Sequence, residues 1–264
     1  MQGMSDSNAA QTPRRTGWLI HALLLALYPV TIGLLGLRSG ADLSGPALPA
    51  SVLPLLLALS VEMLLFLAVF GLACLASRPD ARQLLLRWEG GSRPLWLGLG
   101  YSLALRLALA LLIMLLAVIA QLPGGFGTDA LSELQPDISQ LVDTAALADN
   151  PAYLLLNLTL VSFVVAGLRE ELWRAGMLAA LFVLFPRLGR SLSGQAVAVG
   201  GVAVLFGFGH LMQGPGGVVM TTLLGCGLGA IMLWHRSIWP AVLAHGCFNA
   251  TSFLMLFAVA RGGL

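Results

Sequence analysis

The sequence predicts an all-α fold, a polytopic transmembrane helix bundle with seven or eight spans. Of its 264 residues 58% are hydrophobic and only 10% are charged, against about 45–50% apolar and about 25% charged in an ordinary soluble domain. Apolar runs of spanning length, about 20 residues, recur from one end to the other. The polar segments between them sort arginine from acidic residues. A mean hydropathy of +0.89 excludes a water-soluble globule, and it excludes a disordered chain, which lacks the apolar content to fold.

Taken in order, residues 1–16 form a polar N-terminal tail, and the apolar run behind it is long enough to stay as an anchor rather than be cleaved as a signal peptide. Residues 17–121 hold three transmembrane helices, at 17–37, 50–76 and 94–121. Residues 122–151 form an acidic loop with apolar residues at helical spacing around Leu131, Leu134, Ile138 and Leu141. It is a solvated connector or an amphipathic lid lying on the membrane. Residues 152–264 supply the remaining spans, at 152–186, 196–212, 216–234 and 239–260. The first of these is too long for an upright helix; a tilted, kinked or broken span fits it, and a division there would make eight spans.

Arginine sets the orientation. Arg14 and Arg15 precede the first span, Arg78, Arg82, Arg87 and Arg93 fill the second loop, Arg187 and Arg190 the fourth, and Arg236 the sixth. The third loop carries Asp129, Glu133, Asp137, Asp143 and Asp149 and no basic residue. Seven spans put these basic loops on one side, with the N-terminus cytoplasmic and the C-terminus outside. The Arg38 loop and Arg261 are exceptions. The expected location is a bacterial cytoplasmic membrane, with lipid as the first partner. Nothing in a net charge of +2 reads as a nucleic-acid surface. Cys74, Cys226 and Cys247 lie inside apolar runs without paired or metal-type spacing and read as packing residues. The absence of an internal repeat argues against transporters built from repeated halves.

Polar groups inside the spans are the functional signal. In GLREELWRAGML, Arg169, Glu170, Glu171 and Arg174 interrupt an apolar stretch. Uncompensated, four such charges cost on the order of 10 kcal/mol, so they pair, face a watery cavity, or both. Arg174 lies four residues from Glu170 and three from Glu171 and can reach either carboxylate, which frees the other. Phe206 and His210 share a helix face at i, i+4, beside Gly207 and Gly209, which allow close helix approach. His245 and Asn249 share another face at the same spacing. A carboxylate with an imidazole can activate water, and an imidazole with an amide can stabilise an oxyanion. The G-x-S-x-G and H-E-x-x-H motifs are absent, so a water-activating site is favoured over a nucleophile.

At these residues the chain resembles the CAAX prenyl protease and bacteriocin-processing (CPBP, or abortive-infection) family of intramembrane endopeptidases. That family carries a double-Glu motif followed by Arg, then F-x-x-x-H, then H-x-x-x-N, in order on separate helices. Phe206-to-His210 and His245-to-Asn249 match in spacing. The first motif departs: the family pattern is E-E-x-x-x-R, whereas Glu170-Glu171-Leu172-Trp173-Arg174 is one residue short. The resemblance covers about 155–250. It implies hydrolysis of a peptide bond in a membrane-bound or lipidated peptide, and a catalytic-type bundle over 152–264. Glu170 or Glu171 with His210 would activate water, His245 with Asn249 would hold the oxyanion, and Arg174 would orient the glutamates. No cofactor is expected. The alternative is zinc at Glu170 or Glu171 with His210 and His245, a donor set that can bind it. Competing functions are a catalytically inactive adaptor or immunity protein of the same fold, and a proton-coupled transporter using these groups as a relay.

Two expectations are exposed to test. Counted along straight helices, His210 and His245 differ in depth by roughly 10 Å, so they share a site only if boundaries shift or a helix is short, tilted or re-entrant. Gly214-Pro215-Gly216-Gly217 marks a place for that. Glu62 and Arg106, near mid-depth in spans two and three, are expected to form a mutual ion pair; the alternative puts them on a cavity wall facing the substrate or the Glu170 region.

Overall fold

The computed structural model describes residues 6–39, 48–88, 90–122, 125, 127 and 141–262. Most of the acidic loop, including the lid expected around Leu131, Leu134 and Ile138, lies outside them. The helices are α1 (Asp6–Ser39), α2 (Val52–Ser77), α3 (Arg93–Gln121), α4 (Thr144–Asp149), α5 (Pro151–Leu156), a π-helix (Asn157–Arg169), α6 (Glu170–Leu184), α7 (Pro186–Gly189), α8 (Leu192–Phe208), a 3₁₀ turn (Leu211–Gln213), α9 (Gly214–His235) and α10 (Trp239–Ala260). No strand occurs among the described residues.

Among the described residues five helices are long and apolar enough to cross a membrane: Val52–Ser77, Arg93–Gln121, Pro151–Leu184, Leu211–His235 and Trp239–Ala260. The apolar run 17–37 lies inside α1, and α8 is a shorter apolar helix of 17 residues. The long stretch from 152 does not divide. Pro151–Leu184 is one rod, α5, the π-helix and α6 end to end. Along α2 and α3 large apolar side chains point outward, Leu57, Leu64, Leu75, Leu103, Leu107 and Leu111 among them. In water that surface would be prohibitive; in lipid it needs no partner.

The two ends of the bundle differ chemically. At one end the basic loop after α2 folds over the turn before α10: the Ile238 amide donates to the Leu85 carbonyl (3.0 Å) and the Ser237 hydroxyl to the Arg87 carbonyl (2.6 Å). Trp18, Leu84 and Leu184 pack together there, which adds the start of the first apolar run and the loop carrying Arg187 and Arg190. At the other end the Leu48 amide reaches the Leu141 carbonyl (3.1 Å), and Arg261 Nε–H donates to the Ala148 carbonyl (3.2 Å). The basic loops therefore share one end, and the tail of the acidic loop shares the other with the C-terminal helix, as the charge pattern predicts.

Polar and small residues fix how the helices around the rod meet. Trp173 Nε1–H donates to the Leu25 carbonyl (2.8 Å), tying α6 to α1. His21 Nδ1–H is shared between the Ala73 carbonyl (3.0 Å) and Ser77 Oγ (2.8 Å), tying α1 to α2. The rod meets α10 at Gly167 and Gly246. A Cβ on Gly167 would lie 2.9 Å from the Val242 carbonyl, and one on Gly246 would lie 2.3 Å from the Phe163 ring. Only hydrogen fits at these crossings, and the close approach puts His245 against the start of α6.

Arg106 corrects an expectation. It does not pair with Glu62. Its guanidinium donates to the Phe248 carbonyl (2.7 Å), Thr251 Oγ1 (2.6 Å) and Ser252 Oγ (3.1 Å) and lies over the Phe248 ring, 4.4 Å from the centroid. The reason is adjacency: α3 packs along α10, whose carbonyl and hydroxyl oxygens meet the guanidinium there.

Candidate active site

Glu170 and Glu171 open α6 where the π-helix ends at Arg169. A π-helix of 13 residues is unusual, since such geometry mostly occurs as single turns, often at functional sites. Its wider spacing shows in the side chains too: Ser162 Oγ donates to the carbonyl of Asn157, five residues back (2.6 Å). The change to α-geometry falls on the Arg169-Glu170-Glu171 triplet, whose side chains divide between a cluster with Glu62 and a buried pair with Arg174.

Glu171 points into the bundle. It is fully buried and ion-paired with Arg174, three residues on and 1% exposed. His245 Nδ1 lies 3.0 Å from the same oxygen, Glu171 Oε1. A carboxylate beside a guanidinium can only accept, so Nδ1 carries the hydrogen. The Arg174 guanidinium lies over the Phe206 ring, 4.7 Å from the centroid. Its neighbours on α9 are Gly225 and Gly229, where a Cβ would lie 3.6 Å from Arg174, in ordinary contact.

Glu170 faces a different way and is 14% exposed. Its Oε1 takes Arg169 Nη2 at 3.2 Å, and its Oε2 lies 3.7 Å from His245 Nε2. Arg169 is also ion-paired with Glu62 of α2, whose side chain is 35% exposed. The Tyr28 hydroxyl of α1 lies within electrostatic range of Arg169, Glu62 and Glu170. His245 thus sits between two carboxylates, one dry and one open.

His210 lies past the end of α8, in the turn before the 3₁₀ segment, and Gly214 at φ 75° reverses the chain into α9. The irregularity at the Gly-Pro-Gly-Gly sequence, together with a short α8, answers the depth difficulty. His210 comes within electrostatic range of Glu170, His245 and Arg169. Its Nδ1 lies 3.1 Å from the Phe206 carbonyl, which can only accept. Nδ1 therefore carries the hydrogen, and the Nε2 lone pair is free to take a proton. The Phe206 ring lies between Arg174 and His210, with ring centroids of Phe206 and His210 4.7 Å apart. Asn249 is one turn beyond His245, partly exposed and without a hydrogen-bond partner among the described residues.

The structure thus brings together Glu170, Glu171, Arg174, His210 and His245, with Asn249 a turn away on the His245 face. Residues 152–251 match the Rce1-like type II CAAX prenyl endopeptidase family. The Rce1-like segment contains all six of these residues and runs from the rod to the middle of α10. The resemblance seen in the sequence is borne out over this segment. No curated protein and no solved structure matches the chain significantly.

Helices α1, α2 and α3 lie outside the Rce1-like match, yet α2 contributes Glu62 to the site and α1 contributes Tyr28. Glu62 was visible in the sequence as a lone carboxylate in an apolar span, but its partner was not. Between α2 and the π-helix runs an open apolar groove of about 340 Å³ lined by Leu59, Ser60, Met63, Leu64, Leu160, Val164 and Val165. No group of three or more His, Cys, Asp or Glu side chains able to hold a metal occurs among the described residues.

Proposed function

We propose that the chain is an intramembrane endopeptidase that hydrolyses a peptide bond in a membrane-bound or lipidated peptide without a metal, with Glu170 as the water-activating carboxylate. One observation carries the choice of glutamate. Glu171 is dry and engaged by both Arg174 and His245, whereas Glu170 keeps an open oxygen 3.7 Å from His245 Nε2. A carboxylate with two fixed partners and no access to water is suited to orienting, and one with a free oxygen is suited to accepting a proton.

In this reading Glu170 takes the proton from a water molecule as its oxygen adds to the scissile carbonyl, while the His210 Nε2 lone pair accepts a hydrogen bond from the water's other hydrogen. His245, its Nδ1–H held by Glu171, and the unengaged Asn249 amide then face the oxyanion. The tetrahedral intermediate collapses as the proton passes to the leaving amine nitrogen. Arg174 is a positioning residue acting through Glu171. The groove between α2 and the π-helix gives an apolar substrate chain a place to lie along the helix that leads to Glu170.

The test is cleavage of an internally quenched peptide ending in an S-farnesylated Cys-aliphatic-aliphatic-X sequence, with purified protein in lipid. Glu170→Gln abolishes turnover while the protein remains folded, and His210→Ala lowers kcat by about 10²-fold or more. A chelator leaves the wild-type rate unchanged. Full activity in Glu170→Gln would refute the assignment and return the adaptor reading; loss of activity with chelator, restored by zinc, would refute the metal-free mechanism.

A further inference from the structure

Arg169 stands between two carboxylates, Glu62 on α2 and Glu170 at the start of α6. If Arg169 had Glu170 alone, the planar guanidinium would close on both carboxylate oxygens, its preferred bidentate geometry. The base would then be tied and its open face lost. In the structure Arg169 instead directs Nη1 to Glu62 and only Nη2 to Glu170 Oε1. Glu170 Oε2 is left facing His245 Nε2.

We propose that Glu62, on a helix outside the family-matched segment, is a positioning residue that draws Arg169 aside and keeps one oxygen of Glu170 available for the reaction. This inference rests on Glu170 being the water-activating carboxylate. The arrangement makes the N-terminal helices part of the active site: the 152–251 segment carries the reacting groups but also carries Arg169, which would quench the base. Glu62 competes for the guanidinium by position: it approaches from another helix and engages Nη1, the nitrogen that Glu170 does not take. The Tyr28 hydroxyl of α1 lies within electrostatic range of the same cluster.

The experiment compares Glu62→Gln, Glu62→Asp, Arg169→Gln and the Glu62→Gln/Arg169→Gln double variant in two assays. In cleavage of the farnesylated peptide, Glu62→Gln lowers kcat by about tenfold with KM within about twofold, as expected when the base rather than binding is affected. Glu62→Asp retains most of the rate. The effect of Glu62→Gln disappears when Arg169 is already glutamine, because the competitor is gone. The second assay needs no substrate. Dicyclohexylcarbodiimide, which enters lipid and labels accessible carboxyls, modifies Glu170 several-fold less in Glu62→Gln than in wild type. Arg169→Gln raises the labelling, with the modified residue read by mass spectrometry.

Equal losses from Glu62→Gln with and without Arg169, or a fall in yield with unchanged kcat and labelling, would make Glu62 a merely structural residue and overturn the proposal. Should wild type fail to cleave while Glu170 labelling still follows Glu62 through Arg169, the positioning stands and the protease reading falls. Should Glu170→Gln be inactive and Glu62→Gln match wild type in both assays, the protease reading stands and the positioning falls.

Discussion

Removing one charge of the Glu171–Arg174 pair should be far worse than removing both. The side chains are 0% and 1% exposed, so Arg174→Met leaves a carboxylate in a dry interior with only His245 beside it. Breaking a buried pair from one side costs about 3–5 kcal/mol, whereas replacing both charges by neutral groups of similar volume is often neutral. Loss of the Arg174 contact with the Phe206 ring removes about 0.5–2 kcal/mol more, offset in part by the thioether against the same ring. We expect Arg174→Met to lose about 4 kcal/mol, which is about a thousandfold in the folding equilibrium. Glu171→Gln/Arg174→Met should return to within about 1 kcal/mol of wild type. Reversible unfolding in lipid bicelles, followed by tryptophan fluorescence, measures both, since Trp173 packs against Phe206 (ring centroids 5.9 Å). The double variant should stay slow in peptide cleavage, because His245 has lost its carboxylate. A double variant as unstable as Arg174→Met would refute the reasoning, and so would a single variant costing less than about 1 kcal/mol.

Three other outcomes follow from the geometry. Gly246→Ala puts a methyl group 2.3 Å from the Phe163 ring; it should cost about 1–3 kcal/mol and reduce turnover by displacing His245, with Phe163→Leu restoring part of both in unfolding and cleavage assays. Val164→Trp fills the groove between α2 and the π-helix and should raise KM for a farnesylated peptide while leaving an unlipidated analogue unaffected; equal effects on the two would remove the groove from substrate binding. Nitrogen-15 NMR of histidine-labelled protein should show His210 as the Nδ1–H tautomer, because its partner there is the Phe206 carbonyl, and an Nε2–H signal for His210 would contradict the site geometry.

Composition and pattern determined a good deal of this protein. A charged fraction of 10% and recurrent apolar runs dictate helices in lipid, because only helices and closed barrels satisfy their backbone there. The arginine distribution separated the two ends before any contact was known. Charged and polar residues inside apolar spans marked Glu170, Glu171, Arg174, His210, His245 and Asn249, since a polar group in hydrocarbon needs a reason. Those signals are local, carried by neighbours along the chain or by i, i+4 spacing.

Only the tertiary structure decided the partners. Arg174 could reach either glutamate from its helix position; in the folded chain it lies over the Phe206 ring and pairs with the buried Glu171. Glu62 could as well have met Arg106, and the sequence reading paired them. Helix adjacency instead gave Arg106 the carbonyl and hydroxyl oxygens of α10 and gave Glu62 to Arg169. The π-helix ending at Arg169 has no compositional signature, yet it sets where the triplet points. Ion pairs between helices depend on which faces meet across about 8–10 Å of packing, and a linear pattern of residues does not contain that information.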